Sequence, residues 1–545
     1  MSTPGACRES QGVAVAKSSD NQTADFERLL SEGILLSGAG NHESALIRLQ
    51  SALDLVPESG LAHGAAGFAA MALGDLDTAA DHYALARHFL PDDENVVLGY
   101  ASVLERQGKA ALAESVLGDL ISRNPAHPGA GFQLARLCYE AGKHDVAVLH
   151  LRRNLDLRPE HASSLNLLGL ILAREYGDLG AGEKLIRRAL ELVPDFQAAR
   201  SNLGWVLAEN GRLDEAMDCF EVVLKANPQD AETRLMRAHA YLKSGNFTDG
   251  WRDFESRHAS PLARPRSGWR DGKEIPPLDG KRVLICAEQG LGDQIMFASC
   301  VPDLLASGAR GALECDKRLM VLFQRSFPDL DVFPQPFVEE HPAWEGYGPG
   351  IATQVAIGSL PGQFRRRLED FPQQKAYLRA DPSRVAGWRS KYEALGPGPY
   401  VGVSWRGGAQ VTRQQLRTIP LTNWMGLLSM PGTFISLQYG DCQEELDAIP
   451  DGIVHHWPEA LADYDETAAM VAALDQVVSV CTAVVHLSGA LGVPVWVLTP
   501  TTPEWRYLAQ GEQMPWYPSA RLFRQIANEP WGAVLERVAK AFASP

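Results

Sequence analysis

The chain has 545 residues, 45% hydrophobic and 22% charged, which is the composition of a globular protein with roughly two to four domains. A formal net charge of −16 excludes the basic footprint that a nucleic-acid partner requires, so a phosphate-bearing ligand would have to be met by a local group of arginines. Eight cysteines form no Cys-x-x-Cys pair and no framework; this points away from zinc and disulfides and fits a reducing, cytoplasmic setting, and no run reaches the roughly eighteen apolar residues of a membrane span.

Residues 1–24 are rich in Ser, Ala, Gly and Gln and lack the charged-then-apolar order of a signal peptide, so a mobile, disordered tail is expected there. From 25 to 258 the chain repeats itself. Prolines close successive helical segments at Pro57, Pro91, Pro125, Pro159, Pro194 and Pro228, spaced by 34, 34, 34, 35 and 34. Small residues recur where paired helices must cross closely, at Gly33, Gly67, Ala101, Ala135, Gly169 and Gly204, and turn glycines recur at Gly40, Gly74, Gly108, Gly142 and Gly211. This resembles the tetratricopeptide pattern in phase over six units. The extra residue of the 35-residue unit falls near Glu175-Tyr176-Gly177, in the inter-helix turn. A seventh unit starts near Ala231, but Gly250-Trp251-Arg252-Asp253-Phe254 is expected to replace its second helix and to mark the junction to the next domain. Such an array forms an α-solenoid whose concave face suits a protein partner, with a scaffold or dimerisation spacer as the alternative. The row Ser31, Ala65, Gly99, Gln133, Asn202 and Met236 makes no asparagine ladder.

A proline-rich connector is expected at 259–278, and beyond it short apolar strands alternate with helices, which implies α/β layers. Two such groups, 279–390 and 391–545, predict twin Rossmann-like lobes facing a cleft, with ligands at the carboxyl ends of the strands. In the first lobe Val283-Leu284-Ile285-Cys286-Ala287 is a strand; Gly290 and Gly292 shape a tight loop, and a helical pattern runs on from Asp293. Asp293 has two open readings, a helix cap or a proton acceptor. The second lobe offers Ser404-Trp405-Arg406-Gly407-Gly408 with Arg413 and Arg417 downstream, and Thr482-Ala483-Val484-Val485-His486. A loop-rich stretch is expected from Pro334 to Gln374.

Taken together, E-Q-G-L-G-D-Q-I-M-F-A, S-W-R-G-G, Arg417-Thr418-Ile419-Pro420, T-A-V-V-H-L-S-G-A-L-G, P-V-W-V-L and P-W-Y-P-S-A-R-L-F-R-Q resemble bacterial tetratricopeptide proteins with a heptosyltransferase-like GT-B glycosyltransferase domain. The family includes enzymes that attach sugars to flagellin. The resemblance implies an inverting, metal-independent protein O-glycosyltransferase with a nucleotide-sugar donor as substrate and no cofactor, acting on a protein acceptor, flagellin among the class, held by the repeats. A non-catalytic adaptor, or a transferase acting on a glycolipid or polysaccharide, is the alternative. The resemblance further implies Asp293 as the catalytic base. Donor binding would fall to Gly290, Gly292, Trp405, Arg406, Arg413, Arg417, Thr482, Ala483 and His486. Cys481 stands where relatives carry an aspartate, which puts the donor sugar or the activity itself in question. Trp496, Trp505 and Trp516 are expected mainly to pack in cores.

Overall fold

The computed structural model describes residues 9–259, 280, 282–335, 350–351, 353–408, 414–526 and 529–543. Arg413 and all of the expected connector except Ala259 lie outside them. The chain divides into two compact units, Met1–Leu168 and Gly169–Pro545.

Among the described residues the regular elements of the first unit are all helices: Glu9–Gly38, His42–Leu55, Gly60–Leu73, Leu76–Phe89, Glu94–Arg106, Ala110–Arg123, Pro128–Glu140 and His144–Leu157, followed by the start of Ala162–Glu175. The first helix begins at Glu9, inside the stretch expected to be a tail, where no proline interrupts helix formation after Pro4. Within each pair the two helices are joined through a glycine in left-handed backbone, with φ of 82°, 84°, 75° and 73° at Gly40, Gly74, Gly108 and Gly142. After each, an amide reaches back five residues, as in Asn41 N to Leu36 O at 2.9 Å and Lys109 N to Leu104 O at 2.8 Å, closing the helix end. The alanines and glycines of the period lie where helices touch: a β-carbon on Gly67 would come within 2.8 Å of the Tyr83 ring.

The second unit opens with the rest of the repeats. At the 35-residue unit the closing amide of Asp178 reaches Leu172 O, six residues back, so the extra residue is absorbed in the turn at Gly177. The seventh unit does have a second helix, Phe247–Phe254, shortened to 8 residues. Its Gly250 admits Leu242 at 2.6 Å from where a β-carbon would sit, which is what lets so short a helix dock.

Two sheets follow. β1 (Arg282–Cys286), β2 (Arg310–Cys315), β3 (Leu330–Pro334) and β4 (Thr353–Ala356) form a parallel sheet of order β3-β2-β1-β4. β4 lies in the stretch expected to be loop; its four residues carry too little alternation to announce a strand. β5 (Tyr400–Ser404), β6 (Thr433–Ser436), β7 (Val454–His455), β8 (Gln476–Val480), β9 (Val495–Thr499), β10 (Gln513–Met514) and β11 (Tyr517–Arg524) form the second sheet, of order β10-β11-β9-β8-β5-β6-β7, parallel except at β10. In the first sheet the order reverses between β1 and β4, and in the second between β5 and β8. The carboxyl ends at such reversals leave a crevice. Helix Pro382–Glu393 runs through the lobe boundary expected at 390/391 and packs on Tyr464–Ala472, with Trp388 Nε1 donating to Glu466 Oε1 at 2.8 Å.

The last repeat is built into these lobes. Trp251 donates its indole N–H to Arg365 O at 2.8 Å and meets Trp505 edge-on with centroids 5.5 Å apart. Buried Arg257 grips Glu288 with a fork, at 3.0 and 2.8 Å, and pairs with Glu255 at 2.8 Å. Burial alone would raise the Glu255 carboxyl, but Arg257 and His258 outweigh it and hold it down at about 2.

The packing distinguishes two helical glycines. A methyl on Gly204 would sit 2.7 Å from the wholly buried Phe220 ring, whereas nothing lies within 4 Å of one on Gly118. Gly204→Ala is expected to destabilise by about 1–3 kcal/mol through overpacking, and Gly118→Ala to stabilise by up to about 1 kcal/mol through helix propensity. Urea titration of the full chain, followed by circular dichroism, checks the opposite signs.

Candidate functional site

The loop after β1 is Ala287-Glu288-Gln289-Gly290, with Gln289 in left-handed backbone at φ 59°, and it leads into helix Leu291–Phe297. Glu288 is committed to structure: besides Arg257, it accepts the Gly358 amide at 2.8 Å. Gly290 has ordinary extended backbone, and its amide donates to Asp293 Oδ2 at 3.1 Å. Gly292 is where the lobes meet, since a β-carbon there would lie 3.0 Å from His486 Cδ2 and 3.5 Å from Ala483 Cα. A larger residue would push helix Leu291–Phe297 off helix Ala483–Leu491.

That close approach brings Asp293 within reach of the second lobe. Its Oδ1 lies 2.5 Å from Arg506 Nη1, so one oxygen caps the helix and the other is ion-paired. Arg506 also pairs with Glu504 at 2.9 Å, and Glu504 with Arg417 at 3.3 Å. Arg417, buried, donates to the Cys481 carbonyl at 2.9 Å. Four alternating charges, Asp293, Arg506, Glu504 and Arg417, thus run from the end of β1 to the loops after β9 and β5. Glu504 and Arg506 were not singled out from the sequence. Their signal is the polar run Thr501-Thr502-Pro503-Glu504-Trp505-Arg506 at the carboxyl end of an apolar strand, the same kind of signal as at the other three strand ends.

The motifs S-W-R-G-G and Arg417-Thr418-Ile419-Pro420 are zipped together. Gly407 N donates to Arg417 O at 3.1 Å, Ile419 N donates to Trp405 O at 2.9 Å, and Arg406 bridges Thr418. A β-carbon on Gly407 would strike Arg417 Cβ at 2.7 Å, so the glycine permits this pairing. Trp405 is wholly buried in the core of the second lobe. The Arg406 guanidinium is turned to the loop after β6, donating to Asp441 O at 2.7 Å and pairing with Glu445 at 3.1 Å. The structure therefore brings Arg417, but not the Arg406 side chain, into the chain of charges.

Thr482 caps helix Ala483–Leu491 by accepting the Val484 amide at 3.2 Å. His486 is buried, with Nδ1 3.1 Å from the Tyr517 hydroxyl. Burial and the Arg506 guanidinium push its imidazole down to about 3, so it is neutral near pH 7. Cys481 is also buried; its thiol lies 3.6 Å from Leu498 O and is pushed up to about 12, chiefly by burial. At this position the backbone carbonyl, not the side chain, engages the arginine. Trp505 and Trp516 pack around Trp251 and Phe297, and Trp496 packs on Phe523. Among the described residues no group of three or more His, Cys, Asp or Glu is placed to hold a metal ion, and no helix is long and apolar enough to cross a membrane.

Comparison with known proteins gives the lineage. Tetratricopeptide-repeat profiles match residues 30–94, 98–162 and 173–240. Protein FlbA of Caulobacter vibrioides is 32% identical over 499 residues, spanning 86% of this chain and 81% of that protein. The chain belongs to the FlbA family. Because the match spans most of both chains, FlbA-family membership takes in the α/β lobes as well as the repeats. TPR repeat-containing protein YpiA of Bacillus subtilis is 24% identical over 187 residues, covering 34% of this chain and 44% of its own. A crystal structure of a tetratricopeptide repeat protein from Parabacteroides merdae aligns with TM-score 0.39 and 17% identity, over 44% of this chain and 94% of that one.

The state of His486 predicts a pH dependence. The unfolded chain takes up this proton near 6.5, the folded chain only near 3, so the folded state keeps its full advantage above 6.5 and loses it as pH falls towards 3. The contribution is at most about 1.4 kcal/mol per pH unit. Tm measured between pH 6.5 and about 4 should fall less steeply for His486→Gln than for the wild-type protein; equal slopes would contradict a buried neutral imidazole.

Proposed function

We propose that the protein is an inverting O-glycosyltransferase that passes a sugar from a nucleotide-sugar donor to a Ser or Thr hydroxyl of a protein acceptor. The observation that carries this reading is the alternation Asp293, Arg506, Glu504, Arg417 beyond the carboxyl ends of the parallel strands of two sheets, in one compact unit with the last tetratricopeptide repeats. Transfer by inversion needs a carboxylate to take the hydroxyl proton as oxygen attacks the anomeric carbon, and cations to take up charge on the nucleotide phosphate as its bond to that carbon breaks. Asp293 fills the first role, and Arg417, with its forked donors, the second. The repeats hold the acceptor, and the sequence resemblance favours a flagellin-type protein. Residues 25–258 serve this recognition, with the lobe of β1–β4 on the acceptor side and the lobe of β5–β11, together with helix Pro382–Glu393, on the donor side, in the cytoplasm where nucleotide sugars are available.

A non-catalytic adaptor is the second reading. It is favoured by the inert Cys481 thiol and by the engagement of both Asp293 oxygens. Incubation with cell extract and labelled nucleotide sugars separates the two, since an adaptor puts no label on any protein. Under the transferase reading, Asp293→Asn keeps the cap but cannot accept a proton, and turnover at saturating donor falls about 10²- to 10⁴-fold with little change in donor affinity. Arg417→Ala instead weakens donor binding together with turnover, because its grip on phosphate serves ground and transition states alike. Near-wild-type turnover of the Asn variant would remove Asp293 from the chemistry.

A further inference from the structure

We infer that Arg506 is the positioning residue of this reaction, holding the Asp293 carboxylate in the orientation that receives the acceptor's proton. The inference rests on the transferase reading above and assigns a role to a residue that no sequence motif marked.

Arg506 stands on a rigid base. It lies in the single turn Trp505–Tyr507 after β9, and both flanking rings are buried. Trp505 is wedged among Trp251, Phe254, Phe297 and Trp516, with centroids 5.5 to 6.4 Å away. The guanidinium sits 5.3 Å over the Trp505 ring and is steered by Glu504 at 2.9 Å. From there it crosses to the other lobe and meets Asp293 Oδ1 at 2.5 Å, in a sheltered setting where its side chain is 13% exposed and that of Asp293 19%. Asp293 Oδ2 is fixed independently by the Gly290 amide at 3.1 Å. One carboxylate, held at one oxygen by its own helix and at the other by the opposite lobe, has a defined direction, and each oxygen retains a second acceptor position. A base displaced by about 1 Å can lose about 10²-fold in rate, so the second anchor matters to turnover.

Two other roles are distinguishable. A phosphate ligand would act on donor binding, and a mere strut between lobes would act on stability. The test measures kcat, donor KM and Tm for Arg506→Ala, Asp293→Asn and the double variant, in the full-length protein. Arg506→Ala is expected to lower kcat about 10²-fold with donor KM within about two-fold of wild type. Added to Asp293→Asn, it should cost nothing further in kcat, because it acts only through that carboxylate. Independent, multiplicative losses in the double variant overturn the assignment, as does a raised donor KM at unchanged kcat or a lowered Tm at unchanged kcat. Where the alanine variant fails to fold, Arg506→Lys keeps the charge without the fork and should give the same pattern with a smaller loss; wild-type kcat in it overturns the assignment. Failure of the underlying reading registers separately: the wild-type protein would transfer no label and bind no nucleotide sugar by calorimetry, and the assignment would fall with it.

Discussion

The ion pair between Asp293 and Arg506 ties the end of β1 to the loop after β9. It exists only because the two lobes approach closely enough at Gly292, where the space for a side chain is already filled by His486. Glycine at 292 is therefore a packing requirement between helices, with an electrostatic consequence one residue later. The neutral state of His486 belongs to the same arrangement, since a second cation beside Arg506 in a buried setting would carry a large desolvation cost.

The repeats end inside this arrangement. Short helix Phe247–Phe254 places Trp251 and Phe254 against Trp505, the residue directly before Arg506, and Arg257 closes on Glu288, in the loop that leads to Asp293. Both ends of the cross-lobe ion pair thus rest on residues that touch the last repeat. Mutations in that repeat can reach the site through packing alone, without a separate signalling element. The last repeat shares its core with the α/β region: Ala238, Leu242, Phe247, Trp251 and Phe254 belong to one buried cluster with residues of the first sheet.

The sequence made the periodic and the local features legible. The period of 34 marked the helical hairpins because each unit repeats the same crossing and the same left-handed turn, and even the inserted residue at Gly177 could be placed. The strand ends bearing Asp293, Arg417 and His486 were visible as polar residues following apolar runs. Partners between distant segments were not legible. Asp293 and Arg506 are 213 residues apart, and no local pattern pairs a carboxylate in one lobe with one arginine among many in the other. Trp405 and Arg406 carried polar or aromatic character just past a strand end, yet beyond β5 the fold turns one into the core and the other towards Glu445, a choice fixed by contacts with the distant segments around Ile419 and Asp441. The helix at Phe247–Phe254 was hidden because Gly250-Trp251-Arg252-Asp253-Phe254 departs from the repeat pattern and no closing proline follows on schedule, whereas Gly250 sits within a short helix and lets Leu242 approach.

The central claim is that donor binds where the two sheets' carboxyl ends converge on Asp293, Arg506, Glu504 and Arg417. Hydrogen–deuterium exchange of the full-length protein, with and without a saturating nucleotide sugar, addresses it most directly. The account predicts added protection in segments 288–297, 414–418, 481–487 and 501–507, with the helices of residues 42–157 unchanged. Protection confined to those helices, or none in any of the four segments with a nucleotide sugar shown to bind, would contradict it.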